Sequence, residues 1–367
     1  MNKLKNVITT VFFVVFILAF SAACLLKPAQ EKSEAERRPL AQMPEITWNS
    51  IKKGFFFDDF EKYTVDQFPL RDFFRGVKAR IHMNVLNIKE NNDLAVEDGY
   101  IAKVETEVNK QSLENAAAKF EYIIENYLKD ANTNNYLAIV PDKNYYFGPA
   151  YGYPTMDYEE MVRFVQDALP GFTYVDLFNV LTLSDYYKTD THWSQDRLGN
   201  VVKALSEAMG FEKKLNKQYQ ISQFDEFKGV YYGQSALNPD KDTIYYLSDE
   251  IIKSCTVFDY NSGKKMRMYN LSALGGSDAY DVFLSGPQPL LRIDNPNATT
   301  NKQLILFRDS YGSSLAPLLA EGYSSIFVVD IRYISPSELG KYIRFDGQDV
   351  LFLYSTMILN DSFSFLS

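Results

Sequence analysis

Three patterns of apolar and polar positions follow one another along this chain. The first is a nearly unbroken apolar run from Val7 to Leu26, with Thr9, Thr10 and Ser21 as its polar members. Its length matches the ~20 residues that a membrane-spanning helix needs. Lys3 and Lys5 on the N-terminal side predict a cytoplasmic N-terminus and an extracytoplasmic body. Ser21-Ala22-Ala23-Cys24 also suits a lipoprotein or signal-peptide cleavage site. The run nevertheless continues through Leu25 and Leu26, and Ser21 stands where a lipobox carries Leu, so 1–26 reads as an uncleaved anchor.

The second pattern occupies 27–90. It starts polar, with Pro28, Pro39 and Pro44, and reads as a linker that lifts the body off the bilayer. Phe55-Phe56-Phe57-Asp58-Asp59-Phe60 then leads into a helical stem reaching Asn87, in which Phe60, Val65, Phe73, Val77, Ile81 and Val85 recur at helical spacing. Pro69 predicts a break between two helices. His82 lies on the same pattern and reads as a structural histidine.

From 91 to 367 strand and helix patterns alternate. Predicted strands are Asn135 to Val140, Thr173 to Leu177, Gln303 to Phe307, Ser325 to Asp330 and Asp349 to Leu353. Predicted helices are Ser112 to Lys129, Tyr158 to Ala168, Gln195 to Met209, Ser313 to Ala320 and Pro336 to Lys341. Between about 224 and 296 short alternating runs, among them Val230-Tyr231-Tyr232, Thr243 to Leu247 and Met266 to Tyr269, predict inserted hairpins. The fold class is α/β, with a parallel sheet whose sites sit at the C-terminal ends of its strands.

Composition narrows the function. A formal net charge of -9 argues against nucleic acid, since the basic pairs Lys213-Lys214 and Lys264-Lys265 are too short to follow a phosphate backbone. With 2 Cys and 2 His, neither a structural disulfide nor a zinc centre is expected, and no metal or cofactor is predicted. The 27 Phe and 26 Tyr suit carbohydrate grooves and aromatic cores equally.

The candidate chemistry begins at Tyr187-Lys188-Thr189-Asp190-Thr191-His192-Trp193-Ser194. In an extended or turn segment residues two apart share a side, so Asp190 can hold one nitrogen of His192 protonated and leave the other as a base. Ser310, in Arg308-Asp309-Ser310-Tyr311-Gly312 between a predicted strand and helix, is the matching nucleophile, placed where helix amides can stabilise an oxyanion. The plainer reading of each motif is a hydrogen-bonded loop histidine and a helix cap.

These residues, with Val329-Asp330-Ile331-Arg332-Tyr333, resemble the DHHW proteins of Gram-positive bacteria, related to the AlgX/AlgJ branch of SGNH-type hydrolases that O-acetylate alginate. The resemblance extends to Glu36-Arg37-Arg38-Pro39-Leu40 and Asp66-Gln67-Phe68-Pro69-Leu70-Arg71-Asp72. It implies a flavodoxin-like, SGNH hydrolase-like sandwich with Ser310 as nucleophile, His192 as base and Asp190 as its orienting carboxylate. It also implies a cell-surface polysaccharide as acceptor and a membrane-bound O-acyltransferase as partner. Thr191 replaces a second histidine of the family motif, and Ser285-Gly286-Pro287-Gln288 stands where a Gly-Asn pair is expected. The oxyanion is then expected at the Ser310 or Tyr311 amide, with the Gly286 N–H or the Gln288 amide as substitute for the missing side-chain donor. Arg332 is either an anion clamp or an ion-pair partner of Asp330, and Lys143 is a further candidate at a strand end. Hydrolysis, transfer and a non-catalytic carbohydrate-binding role all remain open at this level.

Overall fold

The computed structural model describes residues 2–86, 88, 90–211, 219–237 and 239–366; the Lys213-Lys214 pair and the Asn87 end of the stem lie outside the described residues. The chain forms two compact units, Met1–Asn92 with Tyr232–Asn238, and Asp93–Tyr231 with Pro239–Ser367.

In the first unit the apolar run forms a helix over Asn2–Leu26, and its stretch Lys3–Cys24 is long and apolar enough to cross a membrane. The polar segment behind it, read from sequence as a linker, is bonded to the stem within this unit. Strands Lys32–Ser33 and Arg38–Pro39 pair antiparallel, and Arg38 reaches Asp66 with both terminal nitrogens, at 2.9 and 2.6 Å. Arg71 donates to Glu36 at 2.5 Å, with Arg75 3.3 Å from the same carboxylate. Gln67 closes the arrangement by bonding Gln30 and Ala41. Guanidinium forks matched to carboxylates fix direction as well as distance, so the two short motifs of the sequence meet. The stem breaks at Pro69 into helices Phe55–Asp66 and Arg71–Arg80, followed by a π-turn over Ile81–Val85.

The second unit is built on eight strands: β1 (Asn134–Val140), β2 (Thr173–Asp176), β3 (Thr256–Asp259), β4 (Lys264–Met266), β5 (Leu290–Asp294), β6 (Gln303–Arg308), β7 (Ser325–Val329) and β8 (Asp349–Ser355), in the order β4-β3-β5-β7-β6-β8-β1-β2. The five strands from β7 to β2 are parallel. β5, β3 and β4 extend the β7 edge antiparallel. Side chains of a strand alternate between faces, and both faces are covered here. Leu304, Leu306, Leu351 and Leu353 enter one core, while Ile305, Phe307, Val350 and Phe352 enter the other. A strand buried on both sides reads as the continuous apolar run seen at Leu304–Phe307.

Part of the insertion differs from expectation. β3, β4 and β5 join the main sheet, and a separate antiparallel pair joins Gln220–Phe227 to Asp242–Ser248. Val230-Tyr231-Tyr232 is helical, within Val230–Ser235, rather than a strand. Its amides turn to the 189–190 loop instead of a strand neighbour: Val230 N–H donates to Asp190 and Tyr231 N–H to the Thr189 carbonyl. The hairpin of Leu94–Glu97 and Tyr100–Lys103 and the helix Asn144–Tyr151 were not foreseen. Pro336–Lys341 is a 3-10 segment.

Candidate active site

Ser310 sits where β6 leaves the sheet and the helix Tyr311–Leu319 begins. The turn is tight: a Cβ on Gly312 would lie 2.6 Å from that of Arg308, so only glycine fits there. Asp309 pins the turn from below, accepting from the Tyr311 N–H at 3.0 Å and from the Ser355 N–H, at the end of neighbouring β8, at 2.8 Å. Arg308, wholly buried, pairs with Asp330 at 3.2 Å and so ties the ends of β6 and β7. Ser310 has no capping bond of its own. Its hydroxyl is therefore free to face the helix N-terminal approach, where the backbone dipole favours negative charge.

The histidine arrives on a hairpin-like loop. Tyr186 bridges Trp193, and Tyr187 N–H donates to the His192 carbonyl at 3.1 Å. Three bonds press this loop onto the serine helix: Tyr311 Oη–H to the Thr191 carbonyl at 2.7 Å, Trp193 Nε1–H to Ser314 Oγ at 2.9 Å, and Gln195 Nε2–H to the Ser314 carbonyl at 2.7 Å. Trp193 is fully buried. The outcome is a continuous chain in which Asp190 Oδ1 lies 2.6 Å from His192 Nδ1 and His192 Nε2 lies 2.7 Å from Ser310 Oγ.

Burial is graded along that chain, from 1% side-chain exposure at Asp190 to 11% at His192, and Ser310 lies half-buried at its outer end. Asp190 also accepts from its own His192 N–H at 3.0 Å and from Val230 N–H at 2.8 Å. Burial raises its carboxyl pKa, but the charge and hydrogen bonds of His192 and the Val230 amide outweigh this and hold it well below the usual range. An ionised, fully bonded Asp190 keeps the Nδ1 proton in place, so Nε2 faces Ser310 as an acceptor. Tyr280 stacks on the imidazole, with ring centroids 3.8 Å apart and planes 7° off parallel, and donates its own hydroxyl to Ser314 at 2.8 Å.

The other residues singled out from sequence have different surroundings. Tyr311 spends its amide on Asp309, Gly286 donates its N–H to the Phe283 carbonyl at 3.1 Å, and Gln288 donates its side-chain N–H to the Ser285 carbonyl at 3.2 Å. The Tyr311 and Gly286 amides are thus engaged internally, while the Gln288 amide has one of its two N–H donors so engaged. The Ser310 N–H has no internal partner among the described residues. Gly286 serves shape: it sits at φ 75° after Leu284 and Ser285, both also at positive φ, and a Cβ there would meet Asp281 at 2.1 Å. Arg332 grips Asp330 with Nε and Nη2 at 2.9 and 2.7 Å, which is the ion-pair alternative. Lys143 is buried, its ammonium donating to the Ile101 and Lys188 carbonyls at 2.8 and 3.0 Å. It holds backbone instead of lining a site. His82 belongs to the stem's π-turn.

Tyr280, Val230 and Gly229 were not identified as site residues from the sequence. A Cβ on Gly229 would stand 2.2 Å from the Thr189 carbonyl oxygen, and this close approach is what brings the Val230 amide to Asp190. A glycine before the Val-Tyr-Tyr run was the one available clue. Among the described residues no group of His, Cys, Asp and Glu is arranged to hold a metal ion.

No protein-family model matches the sequence, and no curated protein matches it. The fold does have solved relatives. A DHHW family protein from Eubacterium siraeum superposes with a TM-score of 0.59 and 21% identity, over 74% of this chain and 93% of that one. PatB1 of Bacillus cereus, solved with a sulfonyl adduct, gives 0.56 and 19%, over 74% and 97%. This chain shares their mixed α/β fold with its large, mostly parallel sheet.

Proposed function

We propose that this protein is a membrane-anchored serine O-acyltransferase or esterase that acts on a cell-surface polysaccharide. The observation that carries the reading is the unbroken Asp190–His192–Ser310 hydrogen-bond chain at the C-terminal end of a parallel strand. In the first half-reaction His192 Nε2 takes the hydroxyl proton as Ser310 Oγ bonds to the acyl carbonyl carbon. The tetrahedral oxyanion is met by the unpartnered Ser310 N–H and the positive end of its helix. Collapse breaks the bond to the donor oxygen, which leaves with the proton from His192, and an acyl-serine remains. Water or a sugar hydroxyl then gives its proton to His192 as it attacks the acyl carbon, and collapse breaks the bond to Ser310 Oγ, which takes that proton back from His192.

The sequence resemblance supplies acetyl as the acyl group and a surface glycan as acceptor. An extracytoplasmic body has no acetyl-CoA beside it, which favours delivery of the acyl group by a membrane-bound O-acyltransferase and transfer over hydrolysis. The absence of an Asn beside Gly286, whose own N–H is engaged internally, favours a second reading, a non-catalytic glycan-binding protein that keeps the fold.

One experiment separates the two. The purified chain is tested for p-nitrophenyl acetate turnover and for labelling by a sulfonyl fluoride, the reagent class that leaves sulfonyl adducts. Turnover and labelling are expected, and Ser310→Ala or His192→Ala should lower turnover about 10⁴-fold with circular dichroism unchanged. A folded chain that neither turns over nor labels makes the binding reading the correct one.

A further inference from the structure

The helix Arg71–Arg80 and its π-turn are inside out for a soluble protein. Gly76 and Ala79 face the interior of their unit, and a Cβ on Gly76 would already stand 3.3 Å from the Ala236 carbonyl. The large apolar residues point outward instead: Phe73 is 60% exposed, Ile81 45% and Val85 73%. With Phe74 and Val77 they fall within about a third of the helical circumference, a single stripe. A core-packing helix has the reverse distribution, small and polar outside and large and apolar within.

The stripe is continuous with the N-terminal helix. Phe20, on the later turns of that helix, stacks on Phe68 at 5.6 Å and lies 6.2 Å from Phe74, and Phe68 and Phe74 are themselves 5.8 Å apart. If the N-terminal helix spans a bilayer, Phe20 lies near the outer end of its hydrocarbon stretch. Rings in contact with it share that depth. Phe57, 60% exposed on helix Phe55–Asp66, adds a further aromatic to the same unit's surface. Lys78 and Arg80 lie exposed on the same helix as the stripe, where long cationic side chains can reach lipid phosphates while their stems stay apolar.

We propose that the stem is a second membrane element: the Phe73–Val85 stripe lies in the outer leaflet at the headgroup–acyl boundary, as an interfacial amphipathic helix does. This rests on reading the N-terminal helix as an uncleaved anchor, so the test interrogates both. The full chain, with Cys24→Ala and Cys255→Ala, carries one cysteine at Phe13→Cys, Phe73→Cys or Asp59→Cys. Each is labelled with an environment-sensitive fluorophore and reconstituted in phosphatidylcholine vesicles.

The labels at 13 and 73 are expected to be quenched by nitroxide-bearing lipid and shielded from aqueous iodide, with the label at 59 behaving oppositely. Quenching at 13 with iodide-accessible 73 overturns the stem proposal and leaves the anchor standing. Iodide access at both 13 and 73 removes the anchor and the stem proposal together. A label at 73 shielded from iodide yet untouched by lipid nitroxide means a protein surface covers the stripe, which also overturns it.

Discussion

The Tyr280 ring is the residue whose contribution sequence concealed most completely. Its stacking on His192 restricts the imidazole to one plane, while its hydroxyl is anchored at Ser314. Tyr280→Phe keeps the ring and should retain most of the proposed turnover. Tyr280→Ala lets the imidazole swing, and a misplacement of about 1 Å can cost about 10²-fold in kcat. Steady-state kinetics of the two variants check this, and equal losses in both would assign the role to the hydroxyl instead. Asp190, His192 and Ser310 were legible because each sits in a short motif whose chemistry is local: a two-residue spacing, and a serine between strand and helix. Tyr280 and Val230 were not. They reach the site by tertiary packing from segments whose own patterns speak only of turns and hairpins.

At the scale of elements, the fit of one segment against another carries the functional geometry. Gly229→Ala forces a methyl against the Thr189 carbonyl, and the 229–231 segment must back away from Asp190. A loss of about 1–3 kcal/mol in chemical denaturation is expected, together with a fall in turnover larger than that stability loss explains. In the stem, the Arg38 hydrogen bonds hold the Asp66 carboxyl down to about 2, with the burial that opposes them too weak to cancel the effect. An unfolded chain has that group near ~3.9. The pairing therefore stabilises the stem above about pH 4, and the benefit is lost as pH falls through about 2. Arg38→Met should raise the acid-unfolding midpoint, followed by stem-specific proteolysis. Parallel strands β6, β7 and β8 were readable from their apolar runs. The clasp around Arg38 was not legible in the polar start of the 27–90 stretch, because prolines and charges look alike in a free linker and in one held by guanidinium forks; only the partners distinguish them.

Across the second unit, distant pieces of chain converge on the loop that bears His192. Lys143, from the end of β1, joins the carbonyls of Ile101 and Lys188. Burial pushes its ammonium pKa down to about 7, against the opposing charges of Asp242 and Asp190. Free lysine titrates near ~10.4. Between these values the unfolded chain holds a proton that the folded chain has released, so stability should climb from about pH 7 toward the onset of tyrosine ionisation near ~10. Urea titrations at several pH values should show this climb, and Lys143→Met should flatten it. The bond from Val230 N–H to Asp190 gives the insertion a different use. That amide proton is bound to the carboxylate that faces the imidazole, so its lifetime against exchange with deuterated solvent depends on how strongly Asp190 is held.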